Sequence, residues 1–426
     1  MSHAHSCPQR FAGDIAVQLV EAGCTGLGRM PTRSAAAIGA SPWSIGCETL
    51  DRDFADFAHS GPLLGELGAT QARVQAGWAK TDRGDGRFDF AWLDAIVDGC
   101  LAQGVRPWLE LSYGNPAYPG GGGIGLSEGW PRTPEALRAW DRWVTAVVQR
   151  YRDRVSTWEI WNEPENHTAS GPADYAVFFA HTARRVRGGD PAARIVGLAL
   201  GGRVDYAAAV LTILSTTGDA GLLDELSYHY YPHNPDDRFD EVAELAERLR
   251  RHAPHASLRQ GETGAPSETI AFLALGEYDW SERKQAVWNL RRLLAHHVRG
   301  IPMNLFQLSD MHYGGGKGLY TGRNPKGLLC TGPDHRVRYR KPSYAAAQHV
   351  FTLLDHRFPL RPLAALPVSG SRAPCSAYAW TVQGTSRPGM VSWWNTGRPP
   401  SLAGEPLARC ALPPQPLTDP LLLDLL

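Results

Sequence analysis

Two glutamates stand in sequence contexts that could bring a pair of carboxyl groups together. Glu163 follows the tryptophan-rich run Trp158–Asn162 and precedes Pro164, and Glu262 lies in the short segment Arg259–Gly264. Two facing carboxyl groups are what cleavage of a glycosidic bond requires. One donates a proton to the leaving oxygen, and the other attacks the anomeric carbon or activates water. A glutamate in a strand is more often salt-bridged or exposed, so the Asn-Glu-Pro context carries most of this signal.

The local patterns also predict how these side chains are presented. Side chains alternate along a strand, so Glu159, Trp161 and Glu163 should share one side, with Glu163 at the rim and Trp161 available as apolar cover for it. Gly261 and Gly264 are expected to leave room for a ligand to approach the backbone.

Eight short runs of apolar, β-branched or aromatic residues alternate with longer runs of helical period. The predicted strands are Ala40–Gly46, Ala72–Gly77, Arg106–Ser112, Ser156–Asn162, Ile195–Leu200, Glu225–Tyr231, Leu258–Glu262 and Asn304–Leu308. The predicted helices include Phe90–Gln103, Pro134–Asp153, Ala173–Arg187, Phe239–His252 and Trp280–Val298. Eight strands, each followed by a helix, predict a (β/α)8 barrel in which the fourth and seventh strands end in Glu163 and Glu262.

Three segments are therefore expected: an N-terminal extension over 1–34, a (β/α)8 catalytic barrel over 35–356, and a small β-rich, proline-rich C-terminal appendage over 357–426. An open doubly wound sheet is the alternative architecture. The GxGxxG letters of Gly120–Gly125 follow the third strand and open no helix, so they favour a loop at the barrel mouth over a dinucleotide site. The sequence thus calls for no cofactor.

The amino-acid composition limits which classes of partner and which cellular compartment are expected. Lys+Arg and Asp+Glu both number 43, and this zero net charge argues against a nucleic-acid partner. No apolar run is long enough to cross a membrane. The seven scattered cysteines form neither a disulfide framework nor a zinc-site spacing. With no signal peptide recognisable after Met1, a cytoplasmic protein is expected, or a secreted one if the start is misplaced. The oligomeric state is left open.

Several segments together carry a resemblance to a known group of enzymes. They are Gly86–Gly104 with Arg106–Ser112, Arg150–Asn166 (RYRDRVSTWEIWNEPEN), Ser227–Pro232 (SYHYYP) and Gly261–Gly264 (GETG). From about Ala40 to His356 the chain resembles the retaining glycoside hydrolases of clan A, and within that clan it is most similar to family 39, which contains β-xylosidases and α-L-iduronidase. The resemblance implies an oligosaccharide or glycoside substrate.

The resemblance also implies roles for individual residues. Glu163 corresponds to the general acid/base and Glu262 to the nucleophile. Asn162 would bind the sugar hydroxyl next to the anomeric carbon, Tyr231 would orient Glu262, and His229 would line the sugar subsite. Arg73, on the second strand, would help to keep Glu262 ionised. Barrel packing for His229 and Tyr231, and an ion pair with Glu159 or Glu110 for Arg73, are the structural alternatives.

Further binding residues are expected at strand ends, where Trp78 and Tyr113 could stack on a sugar ring. Gln75 stands where the family has a histidine, and the eighth-strand run Asn304–Leu308 lacks the family's usual tryptophan. Both positions shape the sugar subsite, so the resemblance does not fix the sugar. The long glycine-rich loops Asn115–Trp130 and Met311–Pro333 are expected to form the mouth and to favour exo action.

Double displacement requires carboxyl groups about 5–5.5 Å apart, and a gap near 9 Å would contradict a retaining mechanism. Two other functions stay open. One is a carbohydrate-binding barrel without catalysis, which the presence of both glutamates disfavours. The other is a metal-dependent barrel enzyme, for which His229, Asp310 and His312 would be sparse ligands, so no metal site is expected.

Overall fold

The structure is a computed structural model, and it describes residues 31–167, 170–271, 273–313, 322–357, 362, 364–366, 375–381 and 388–395. Most of the predicted N-terminal extension and the end of the proline-rich tail lie outside these ranges.

Eight parallel strands form a closed barrel in which each strand pairs with the next and β8 pairs with β1. They are β1 Trp43–Gly46, β2 Gln71–Gln75, β3 Arg106–Leu111, β4 Thr157–Ile160, β5 Arg194–Leu200, β6 Glu225–Tyr228, β7 Ser257–Thr263 and β8 Met303–Leu305. The predicted (β/α)8 fold and all eight predicted strand positions are confirmed. An open doubly wound sheet is excluded because the barrel closes.

Eleven α-helices occur in the described part of the chain. They are α1 Ala35–Ile38, α2 Phe57–Ser60, α3 Leu64–Leu67, α4 Trp78–Thr81, α5 Ala91–Leu101, α6 Pro134–Tyr151, α7 Pro172–Gly189, α8 Val204–Thr216, α9 Phe239–His252, α10 Glu282–His297 and α11 Pro342–Leu353. Short 3-10 turns cover Gly61–Leu63, Pro164–Asn166 and Ala220–Leu222. The start of α6 follows the expected chemistry, because Thr133 Oγ1 accepts a hydrogen bond from the Ala136 amide at 3.1 Å.

The register places acidic side chains at one level inside the barrel. Gln75 on β2 is paired with Glu110 on β3, and Glu110 is paired with Glu159 on β4. Glu110 and Glu159 are fully buried. Buried carboxyl groups need a counter-charge, so this layer demands a cation at its centre.

A layer of aromatic rings joins the outside of β4 to the helices. Trp140 and Trp143 on α6 lie with ring centroids 4.9 Å apart, and Trp140 lies 5.3 Å from Phe178 on α7. All three are buried, and the Trp140 indole donates a hydrogen bond to Thr182 at 3.0 Å. This layer fixes the helices against the strand that leads to Glu163.

Four short strands follow the barrel as two hairpins, β9 Met311–Tyr313 with β10 Gly322–Asn324, and β11 Leu329–Thr331 with β12 Val337–Arg340. After α11, a three-stranded antiparallel sheet contains β13 Ala364–Leu366, β14 Cys375–Thr381 and β15 Pro388–Asn395. Trp380 of β14 is buried with its ring 4.4 Å from His297 on α10. The predicted appendage is thus a β-sheet packed on the barrel.

Within the described ranges, none of the helices is long and apolar enough to cross a membrane. Cys47, Cys100 and Cys330 carry free thiols in buried positions.

Trp140→Ala tests the aromatic layer. Removing the indole leaves a cavity and an unpaired Thr182 hydroxyl, and we expect the free energy of unfolding to fall by about 3–5 kcal/mol. Trp140→Phe, which keeps most of the ring volume, should cost clearly less. Urea unfolding measures both, and equal losses in the two variants would contradict this role.

Candidate active site

Glu163 reaches the C-terminal rim of the barrel through a backbone that leaves the strand early. Strand β4 ends at Ile160, and Trp161 and Glu163 both have positive φ angles, of 67° and 44°. The expectation that the strand runs straight into Glu163 is therefore wrong. The Glu163 amide donates to the Ala199 carbonyl at 2.9 Å, so β5 holds the residue in this unusual conformation.

Because the regular alternation of side chains along β4 stops after Ile160, Trp161 points away from Glu163. Its ring packs at 5.8 Å from Trp130, 6.2 Å from Trp140 and 5.7 Å from Phe178, inside the aromatic layer. The prediction that Trp161 shares the inner side with Glu159 and Glu163 is wrong, because positive φ at two positions reverses the pleat.

Glu262 lies near the end of β7 with a hydrogen-bond donor on each carboxylate oxygen. Arg73 Nη1 lies 2.7 Å from Oε2, and the Tyr231 hydroxyl donates to Oε1 at 2.8 Å. The side chain is 13% exposed, so its carboxylate is held by these two donors and is still accessible from the barrel mouth. The geometry predicted for Arg73 and Tyr231 is present, and it leaves the carboxylate with little rotational freedom.

Arg73 is the central cation that the acidic layer requires. Its guanidinium is fully buried and pairs with Glu48, Glu110 and Glu159 at 2.9, 2.5 and 2.6 Å, in addition to Glu262. The predicted contact and the alternative ion pairs with Glu110 and Glu159 thus exist together. Burial raises the pKa of Glu48 well above its ordinary value and that of Glu110 to about 7, so these groups favour protonation.

The surroundings of Glu163 favour the neutral acid. Burial raises its pKa to about 7, against the opposing effects of Arg73, of a hydrogen bond from Asn166 Nδ2 at 2.7 Å and of Lys326. His229 Nδ1 lies 3.2 Å from Glu163 Oε1. Because burial lowers the pKa of His229 to about 4, the imidazole is neutral and adds no positive charge that would ionise the acid. A protonated carboxyl beside a carboxylate is the arrangement needed for proton donation.

The two glutamates face each other. One carboxylate oxygen of Glu163, one of Glu262 and a ring nitrogen of His229 all lie within 4.8 Å of one another. This is the one group in the described ranges whose His, Cys, Asp and Glu ligand atoms are close enough for a metal ion. Asp310 instead pairs with Lys341 at 2.6 Å, and His312 Nε2 lies 3.1 Å from the Thr331 carbonyl. The structure does not join these two residues to His229 as a ligand set.

Protein atoms fill the space beside the two glycines that flank Glu262. A Cβ on Gly261 would lie 1.8 Å from Ser227 Oγ, and a Cβ on Gly264 would lie 1.8 Å from the Phe306 carbonyl oxygen. The expectation that these glycines admit a ligand is therefore wrong. They allow β6 and β8 to approach β7 closely, which fixes the strand that carries the carboxylate.

Asn162 belongs to the same cluster, because Arg73 Nη2 donates to its Oδ1 at 2.8 Å. Gln75 and Tyr113 lie at the edge of this cluster, where both contact Arg52. Gln75 Oε1 accepts hydrogen bonds from Arg52 Nη2 and the Thr49 amide, both at 2.9 Å. The Arg52 guanidinium lies 4.5 Å from the Tyr113 ring centroid.

Trp78 is not at the site. It is fully buried, and its ring stacks at 5.6 Å on Tyr118 and meets Trp140 and Trp143 in the aromatic layer. No face is left for a sugar, so the prediction of a stacking role is wrong. A tryptophan that directly follows a strand cannot be assigned to the mouth or to the helix packing by position alone.

Sequence reasoning missed several residues of the cluster, namely Glu48, Arg52, Asn166 and Lys326. Asn166 stands three residues after Glu163, on the turn Pro164–Asn166, and this spacing could have identified it. Glu48, Arg52 and Lys326 lie outside the barrel strands, where no periodic pattern marks them.

Comparison with known proteins adds to this geometry. Residues 71–249, from β2 to α9, match the glycosyl hydrolases family 39. The matched part includes Arg73, Asn162, Glu163, His229 and Tyr231, whereas Glu262 lies beyond it, so its assignment depends on the geometry above.

A β-xylosidase of Geobacillus stearothermophilus is 30% identical over 129 residues, which is 28% of this chain. The chain spans about a quarter, 26%, of the length of this curated relative. A solved family 39 glycoside hydrolase from Bacteroides cellulosilyticus WH2 superposes with a TM-score of 0.63 at 18% identity, over 86% of this chain and 73% of the other. A monomeric β-xylosidase from Caulobacter crescentus CB15 superposes with a TM-score of 0.56 at 20% identity, over 82% and 75%. At these identities the two structures support the barrel fold.

A cavity of about 1320 Å³ has a lining that includes Arg52, Phe54, Tyr313 and Arg323. Arg52 is hydrogen-bonded to Gln75, and the charges of Glu262 and Glu48 both act on the phenol of Tyr313, so this part of the lining lies near the glutamate cluster.

Gly261→Ala tests the close approach of β6 and β7. The new methyl group would collide with Ser227 and lie 3.2 Å from His229 Nε2, so we expect a loss of about 1–3 kcal/mol in the free energy of unfolding. Adding Ser227→Gly should recover part of it. Gly188→Ala, where a Cβ meets nothing within 4 Å, is the control. An unchanged stability of Gly261→Ala in urea unfolding would contradict this packing.

Glu163→Gln tests the raised pKa of Glu163. Because the folded-state pKa of about 7 lies above the ordinary glutamate value, folding favours the protonated form. The stabilisation is complete below about pH 4.3 and is lost as the pH rises through 7. Glutamine has no proton to lose, so the Tm of the variant should rise relative to wild type between pH 5 and pH 8. Exposed Glu247→Gln should show a constant difference over this range, and a constant difference for Glu163→Gln would contradict the shift.

Proposed function

We propose that the chain is a retaining glycoside hydrolase that cleaves O-glycosidic bonds of oligosaccharides or glycosides by double displacement. The match of residues 71–249 to the glycosyl hydrolases family 39 supports glycoside hydrolysis. The observation that carries the mechanism is the facing pair Glu163 and Glu262, with carboxylate oxygens within 4.8 Å, of which one is neutral and one is held by two donors. This upper bound on the distance between two carboxylate oxygens supports a retaining mechanism over an inverting one, which needs a wider gap for a water molecule.

In the first step, a Glu262 oxygen attacks the anomeric carbon and forms the glycosyl ester while the bond to the leaving oxygen breaks. Glu163 transfers its proton to that oxygen. Arg73 and Tyr231 hold Glu262 in place for the attack. The neutral state of Glu163 near pH 7 makes the donated proton available.

In the second step, Glu163 acts as a base. Formation of the ester removes the negative charge of Glu262, and the positive charges of Arg73 and Lys326 then act on Glu163 with less opposition. Its pKa falls, so Glu163 can take a proton from water while the water attacks the anomeric carbon. The ester bond breaks, and Glu262 returns to its carboxylate form.

Substrate contacts follow from the same cluster. Because Arg73 occupies the Oδ1 of Asn162, the amide nitrogen is the group that would donate to the sugar hydroxyl next to the anomeric carbon. His229 and Tyr231 would line the same subsite. We further propose exo action, with the remainder of the substrate in the cavity beside Arg52 and Tyr313. The similarity to a β-xylosidase makes xylosides the first substrates to test.

We also propose that the protein acts in the cytoplasm on short imported oligosaccharides. The free thiols of Cys47, Cys100 and Cys330 fit a reducing compartment.

Glu262→Ala tests the mechanism on a panel of nitrophenyl glycosides. Losing the nucleophile should lower kcat by on the order of 10⁴-fold, as for other residues that form a covalent intermediate. Azide should restore activity and give a glycosyl azide of inverted configuration, because it attacks from the side that the carboxylate occupied. Product configuration is read by NMR.

Two controls separate the alternatives. Exposed Glu247→Ala should keep full activity. EDTA should leave wild-type activity unchanged, since Glu163, His229 and Glu262 act here without a metal ion. Loss of activity in EDTA with recovery on metal addition would support a metal-dependent enzyme, and full activity in Glu262→Ala would refute the nucleophile assignment.

A further inference from the structure

Lys326 carries an ammonium group near Tyr231, within electrostatic range of Glu163 and Glu262. The residue is 2% exposed, and the charges of both Glu262 and Glu163 act on it. Its Nζ lies 5.4 Å from the ring centroid of Tyr231, the same tyrosine that donates to Glu262. The ammonium thus lies beside the tyrosine that donates to Glu262.

Lys326 differs from the other buried cations near the site. Arg73 is saturated by carboxylates, and Arg52 pairs with Asp51 and Gln75. Lys341, which follows β12, has its Nζ 2.6 Å from Asp310 and 2.9 Å from Ser267. By contrast, no acceptor from the described ranges lies within hydrogen-bond distance of Lys326 Nζ. Such an ammonium needs water or a ligand as its acceptor.

The backbone of Lys326 is fixed, so the position of the ammonium is a property of the fold. The Lys326 carbonyl accepts hydrogen bonds from the Gln307 amide at 3.4 Å and from Gln285 Nε2 at 3.2 Å. The Lys326 amide donates to Asn324 Oδ1 at 3.3 Å. These contacts join the segment to the end of β8 and to α10.

We propose that Lys326 is a specificity-determining residue that donates a hydrogen bond to an oxygen of the sugar bound at the catalytic glutamates. The sugar oxygen supplies the acceptor that the described part of the chain does not. Because an ammonium carries three N–H groups and no acceptor, the contacted group must be a hydroxyl or a carboxylate of the sugar. The proposal rests on the proposed function for the identity of the site. It also explains how a site without the expected eighth-strand tryptophan can select its sugar.

The test is calorimetric titration of wild type, Lys326→Met and Lys326→Arg with free xylose, galactose and glucuronate, followed by the monodeoxy forms of the sugar that binds best. Lys326→Met should weaken that sugar about 10- to 100-fold, the range for a hydrogen bond to a charged group. Lys326→Arg should weaken it less. Lys284→Met is the matched control, because Lys284 also lies over a tyrosine ring, at 5.2 Å, but pairs with Asp279.

The pattern across sugars identifies the contacted oxygen. One deoxy sugar should bind wild type and Lys326→Met equally, which marks a hydroxyl, whereas a loss confined to glucuronate marks a carboxylate. Unchanged affinities in Lys326→Met, an equal loss for every sugar with a lowered Tm, or no sugar binding by wild type would overturn the proposal. Binding needs no turnover, so a protein that binds sugar through Lys326 and hydrolyses nothing would refute the proposed function alone.

Discussion

The packing of the barrel interior depends on the guanidinium of Arg73. Arg73 is surrounded by four carboxyl groups from different strands and loops, and it is the cation that holds them. Removing it would leave several buried acids without a counter-charge, whereas removing one acid would leave the guanidinium with three. Glu262, the proposed nucleophile, is one of the four, so its position is tied to the packing of the whole acidic layer. The ion pairs of Arg73 therefore support both the packing of the barrel interior and the proposed catalysis.

The fold was predictable from the sequence to a large extent, because strand and helix periodicities alternate eight times over most of the chain. The identities of Glu163, Glu262, Arg73, Tyr231 and His229 as one cluster were also predictable, since barrel strands converge at one end. What could not be predicted is the conformation at the ends of the strands. Trp161 and Glu163 have positive φ, and their amides donate to Leu111 of β3 and Ala199 of β5, which no pattern within β4 reveals.

The wrong assignments share a physical origin. Trp78 was expected at the mouth because it follows a strand, and Trp161 was expected beside Glu163 because side chains alternate along a strand. Both instead pack against helices, where large rings bury the most apolar surface. The glycines beside Glu262 were expected to admit a ligand, yet they admit neighbouring strands. In each case the sequence indicated that a position requires either a large side chain or a glycine. Only the tertiary structure shows which neighbour imposes that need.

The hydrogen bond from the Glu163 amide to the Ala199 carbonyl makes the position of the proposed proton donor depend on the backbone of β5. The register of β5 shifts between Gly197 and Leu200, and Leu198 and Ala199 both have positive φ. A substitution that straightened this irregular stretch would move the acid relative to Glu262 without touching either carboxyl group. The gap between the two glutamates thus depends on the backbone of β5 as well as on the strands that lead to Glu163 and Glu262.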